Sequence, residues 1–150
     1  MTTKINSPNN SQQPLAFTQV VKKEADKAAA QVDPSLSVWT MDLQAVLLSP
    51  KLQASALYYR TKLACHNFTM YDLVKKTTLC YFWHESEGDL SASRFASCVL
   101  DNLTKVVRDN KVTKIIVYSD GCGYQNRNMV LANALLEFCV INNVELFKSF

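Results

Sequence analysis

Apolar and polar positions along this chain recur with two periods, near 3.6 and 2, and the switches between them mark out the elements. Residues 1–16, including Asn6, Ser7, Pro8, Asn9, Asn10 and Ser11, carry few apolar side chains and are expected to form a disordered tail. Phe17, Val20, Val21, Ala25, Ala28 and Ala29 then recur at helical spacing until Asp33-Pro34 stops the run. That stripe is thin, so residues 17–33 read as a lead-in or partner-packing helix, with a boundary at Pro34. Residues 37–48 alternate instead. Trp39, Met41 and Leu43 share one face of a strand, and Val38, Thr40, Asp42 and Gln44 share the other.

Ser49-Pro50 ends that strand, and residues 51–65, with Tyr58, Tyr59 and Arg60, show no clear period. The runs 66–74 and 77–84 read as a β-hairpin with Lys75-Lys76 at its tip, and Asp72 beside the tip as a turn or surface acid. From Ala92 to about Asn110, Phe95, Ala96, Val99, Leu103, Val106 and Val107 define a core-facing helix that Asp89 or Ser91 could cap. Residues 114–119 are a short β-branched run ending on Asp120, followed by a glycine-punctuated loop. A helix opening at Asn126 or Asn128 follows, with Met129, Ala132, Leu135, Leu136, Cys139 and Val140 as its expected buried stripe. Asn142-Asn143 ends it, and Val144 to Phe150 reads as a last strand. The order β-β-β-α-β-α-β after a lead-in helix implies an α/β fold, a mixed five-stranded sheet with flanking helices.

Composition narrows the class. The chain of 150 residues is 48% hydrophobic, enough for one domain with a core, and its net charge of +3 permits nucleic-acid contact without arguing for it. Its five cysteines are scattered with no C-x-x-C pair, which fits a reducing, intracellular setting better than a disulfide framework or zinc ribbon. Neither a signal peptide nor a run long enough to span a bilayer is visible, so no membrane partner is expected.

Two acids carry the candidate chemistry. Asp is depleted from strands, so Asp42 in mid-strand marks a site unless it merely faces water from an edge. Asp120 closes the 114–119 strand, at the carboxyl end where open α/β sheets bind ligands. Gln125, Asn126 and Arg127 near a helix N-terminus could touch phosphate, although capping explains the Asn equally well. Cys80 and His84 share a strand face but lack a second ligand pair, so packing is the expectation. Cys122 has no neighbouring histidine base in any motif and reads as a loop residue, and no P-loop or dinucleotide fingerprint occurs.

That element order, with acids on the first and fourth strands, resembles the ribonuclease H-like fold of DDE-type transposase domains. Through Met41 to Leu52, Tyr58-Tyr59-Arg60, Asn67-Phe68, Trp83-His84-Glu85, Ala96-Ser97-Cys98 and the run Tyr118-Ser119-Asp120-Gly121-Cys122-Gly123-Tyr124-Gln125-Asn126-Arg127-Asn128, residues 36–150 are most similar to transposon-derived proteins of animal genomes. The resemblance implies that the first and fourth strands lie adjacent and parallel. It implies Asp42 and Asp120 as catalytic metal ligands for Mg²⁺ or Mn²⁺, with water or a DNA 3′-hydroxyl attacking a phosphodiester. DNA would be the partner, in the nucleus or cytoplasm, and the oligomeric state stays open. The pattern also has a third acid downstream, for which Glu137 and Glu85 are poor matches. His84 stands where relatives carry Asp, and Tyr124 where they carry Gly. Relatives are longer chains, so a partial, C-terminally truncated copy without activity is expected. The alternative is a non-catalytic domain that keeps the fold and binds protein or nucleic acid.

Overall fold

The computed structural model describes residues 13–49, 62–109, 111–120 and 128–149, with side chains from Thr18 onward. The elements are α1 (Gln13–Val32), β1 (Leu36–Leu43), β2 (Leu47–Ser49), β3 (Leu63–Asp72), β4 (Thr78–His84), α2 (Ala92–Asp109), β5 (Lys114–Ser119), α3 (Met129–Asn142) and β6 (Glu145–Ser149). All six strands join one mixed sheet. β3 pairs antiparallel with β4 along one edge and with β1 and then β2 along the other. β1 pairs parallel with β5, and β5 parallel with β6. The first and fourth of the expected strands are therefore neighbours running in the same direction, as a ribonuclease H-like sheet requires.

The sixth strand has a local cause. Leu43 lies opposite Phe68 and Leu47 opposite Cys65, four steps along one strand against three along the other. One residue is extra between them, so Ala45 and Val46 form a β-bulge against His66. The single strand expected over 37–48 is thus one path broken by that bulge into β1 and β2. Alternation holds over Val38 to Gln44 and gives way to the apolar run Ala45-Val46-Leu47-Leu48, where the extra residue switches the faces.

α2 and α3 cover one face. Their Phe95, Val99, Leu103, Leu131, Leu135 and Phe138 pack onto Trp39, Met41, Phe68, Met70, Ile115 and Val117. α2 follows its sequence pattern, since Phe95, Val99, Leu103 and Val106 repeat every three or four residues. α3 does not. Leu131, Leu135 and Phe138 are its buried residues, while Met129, Leu136 and Val140, expected in the core, are exposed. Asn133 and Glu137, four residues apart, mark its solvent side, flanked by Met129, Leu136 and Val140, and the three buried residues lie opposite them. Asn128 caps its start, its Oδ1 accepting from the Leu131 N–H at 2.8 Å, and Asn143 ends it in the left-handed conformation at φ 52°.

α1 covers the other face. It begins at Gln13, ahead of its apolar stripe, and packs on the sheet through Ala30 beside Val38, Leu73 and Tyr118. A tight turn then reverses the chain into β1. There the Asp33 carboxylate accepts from the Ser35 N–H at 2.9 Å and its hydroxyl at 2.7 Å, bonds that hold Asp33 below the usual carboxylate range. α1 consequently runs antiparallel to β1, and its N-terminal half lies back over the carboxyl ends of the parallel strands. Among the described residues, no helix is long and apolar enough to cross a membrane.

Candidate divalent-metal site at the ends of the parallel strands

The site follows from register. Thr40 pairs with Tyr118 and Met41 with Ser119, the last pair of the ladder, and Asp42 and Asp120 are the residues that follow on the two strands. Parallel neighbours lie about 4.8 Å apart, and residues in register point to the same face. That face is the α1 side, because Val38 and Tyr118, which alternate with the acids, pack against Ala30 of α1. Asp42 and Asp120 are both exposed and both line a cleft of about 640 Å³. Thr40 and Tyr118 form its floor, and Gln19, Val20 and Lys23 of α1 form its far wall. The two sequence-designated acids are thus brought together.

Several neighbours had no sequence signal. On the other side of Asp42, β3 places Thr69, whose hydroxyl is buried with no hydrogen-bond partner. Tyr118 donates its hydroxyl to Asp26 of α1, and Lys23 stands 5.9 Å from the Tyr118 ring centroid. Burial, and then the bond to Asp26, push the Tyr118 phenol well above its ordinary value. On β6, burial pulls Lys148 down to about 8, and the Asp120 carboxylate pulls in the opposite direction. None of these residues breaks a local pattern. A helix lysine or a strand tyrosine becomes part of a site only through the packing of α1 and β6.

The donor set suits a hard cation. Mg²⁺ and Mn²⁺ take oxygen ligands, and Mg²⁺ is held by one or two carboxylates together with waters and substrate phosphate. Two adjacent carboxylates with an unused buried hydroxyl beside them fit that description. Among the described residues, no group of three or more His, Cys, Asp or Glu could share an ion.

The other designated residues fall elsewhere. Gln125, Asn126, Arg127, Cys122 and Tyr124 lie outside the described residues, as do Tyr58, Tyr59 and Arg60. Glu137 is exposed on α3, away from the cleft lining. Glu85 accepts from the Ala64 N–H at 3.1 Å, a clamp between β3 and the end of β4. Cys80 and His84 are two cross-strand steps apart, opposite Thr69 and Cys65 respectively. His84 lies 3.5 Å from the Glu87 carboxylate, an ion pair only when the imidazole is protonated.

No protein-family profile matches the chain, and no curated protein matches it. Among solved structures it is similar to the crystal structure of the Mos1 strand transfer complex, at a TM-score of 0.46 and 11% identity over 98% of this chain and 45% of that one. It is also similar to the Mos1 transposase paired-end complex with the left transposon end, at a TM-score of 0.47 and 11% identity over 98% of this chain and 46% of that one. The chain thus spans less than half the length of either. At this overlap nothing about the site follows from the likeness. The strand order and register stand on their own.

Proposed function

We propose that this chain is a transposon-derived, ribonuclease H-like domain in which Asp42 and Asp120 hold a divalent cation, Mg²⁺ or Mn²⁺, against a DNA phosphodiester. The observation that supports the reading is the cleft that both acids line, where each directly follows the last parallel pair of β1 and β5, Met41 with Ser119. The loop motif from Asp120 to Asn128 supports it from the sequence side, with Gln125, Asn126 and Arg127 as phosphate contacts. Two carboxylates one strand spacing apart repel, and a shared cation removes that repulsion. A divalent ion, when bound, polarises a phosphoryl oxygen and activates the attacking hydroxyl. Asp42 and Asp120 act as ligands, the Thr69 hydroxyl lies beside Asp42, and Gln19, Val20 and Lys23 of α1 line the same cleft.

Strand cleavage and transfer belong to the ancestral domain. A second, non-catalytic reading keeps the fold and binds metal and DNA without turnover, since Glu137 and Glu85 are poor matches in the sequence for a third acid. Isothermal titration of Mn²⁺ into the wild type and into an Asp42→Asn, Asp120→Asn double variant tests the site. Wild type should release binding heat that the variant lacks, and equal heats in both would refute the shared cation. Incubation with supercoiled plasmid and Mn²⁺ tests turnover. Nicking abolished by Asp42→Asn would overturn the non-catalytic reading and restore an enzyme.

A further inference from the structure

α1 is a 20-residue helix, yet Ala30 is its one fully buried residue among the described side chains. Among its described side chains core packing accounts for little of so long an element, since a helix is normally held by a broad apolar stripe and this one leaves Val20 and Val21 exposed. Its polar contacts point instead at the acid cleft. Asp26 receives the Tyr118 hydroxyl, and Lys23, three residues earlier and so on the same side of the helix, lies over the Tyr118 ring. The Asp26 bond therefore fixes the rotation of α1 that presents Lys23 to the cleft. Tyr118 is two residues before Asp120 on the same strand face, and Lys23 lines the same cleft as both acids.

A lysine facing two carboxylates has a definite electrostatic consequence. It partly offsets their mutual repulsion, so it opposes a divalent cation arriving alone. It attracts the anionic oxygens of a phosphodiester that would bridge cation and ammonium. Lysine is a compact point charge with three donors, suited to phosphate oxygens without a fixed approach direction. Lys148, the other cation near Asp120, is rooted differently. It alternates along β6 with Leu146, which packs against the α2 and α3 side of the sheet.

We propose that Lys23 is the phosphate-binding cation of the cleft, carried there by α1, and that it couples metal to substrate by weakening metal binding alone while strengthening DNA binding in the metal-loaded state. The inference rests on the acid pair holding a cation, as argued above. The test uses the full chain and a short DNA duplex at fixed low salt. Lys23→Gln should bind Mn²⁺ alone roughly three- to tenfold more tightly than wild type, and bind the duplex in the presence of Mn²⁺ weaker by a similar factor. Lys23→Arg, which keeps the charge, should stay near wild type in both arms. Opposite signs in the two arms support the coupling, and a lysine that merely braces α1 would not produce them. Changes of one sign, or no change in either arm, overturn the role of Lys23 and leave the acid pair intact. Absence of wild-type Mn²⁺ binding that depends on Asp42 and Asp120 overturns both.

Discussion

Asp42 and Asp72 are both strand aspartates, and their surroundings give them opposite tasks. Asp72 is 2% exposed, and its Oδ1 accepts from the Val74 N–H at 2.8 Å and the Lys75 N–H at 2.9 Å. It is the organiser of the β3–β4 turn, and Asp72→Ala should cost about 2–3 kcal/mol by urea denaturation, because two charge-assisted bonds are lost and two donors left unpaired. In the same turn Lys76 sits at φ 56°, in the left-handed region that disfavours a Cβ. Lys76→Gly should therefore stabilise the fold by about 0.5–1 kcal/mol, whereas Gly at an ordinary exposed position lowers stability. The Tyr81 hydroxyl donates to Asp101 at 2.6 Å, and Lys105 reaches the same oxygen at 2.6 Å. Burial first, and then the Asp101 bond, raise the Tyr81 phenol above its ordinary value, while the bonds from Lys105 and Tyr81 lower Asp101. The Tyr81 contribution is complete below the unfolded phenol value of about 10 and fades as pH rises past it. That of Asp101 is present above about 3.9 and fades as pH falls below it. Thermal melts between pH 8 and 11 should show wild type losing stability faster than Tyr81→Phe. Parallel curves would deny the clamp. The sequence marked Asp72 as a turn or surface acid from its place near Lys75-Lys76, of which the turn holds and the surface does not, and Asp42 as a misfit in its strand. It could not show the burial of Asp72 or the partners of Tyr81, which depend on contacts across the hairpin and onto α2.

Elements were legible where one period dominated. α2 carries a single apolar stripe with polar residues elsewhere, so its existence and buried face followed together from the spacing of Phe95, Val99 and Leu103. α3 is apolar over most of its surface, with Asn133 and Glu137, four residues apart, as the faint mark of its solvent side. Packing against α2 and the sheet selects Leu131, Leu135 and Phe138, leaving Leu136 66% and Val140 76% exposed. Paired substitutions test that rotation directly. Leu135→Ala should cost about 2–5 kcal/mol through a core cavity, and Leu136→Lys should stay within about 0.5 kcal/mol of wild type. The reverse ranking would place the other stripe inside. The bulge at Ala45 and Val46 did leave a sign in the sequence: alternation stops after Gln44 at the apolar run 45–48, and the inserted residue turns Leu47 to the face opposite Leu43.

Across the whole molecule, the sheet order performs the step that no local pattern can. Asp42 and Asp120 are far apart along the chain, and they meet because β5 returns beside β1 with a parallel register that brings Tyr118 to Thr40. The resemblance to the ribonuclease H-like fold made that neighbourhood legible as an expectation. The contribution of α1 was not legible, since its helix read as an element set apart from the central fold. Mn²⁺ added in trace amounts to isotope-labelled protein tests the shared cation most directly, through paramagnetic broadening of individual amide signals. If Asp42 and Asp120 hold the ion together, signals of Met41, Asp42, Leu43, Ser119 and Asp120 should broaden first, and Asp42→Asn should abolish the effect at both strand ends. Broadening that begins elsewhere, or that reaches only one of the two strands, would contradict a cation held between them.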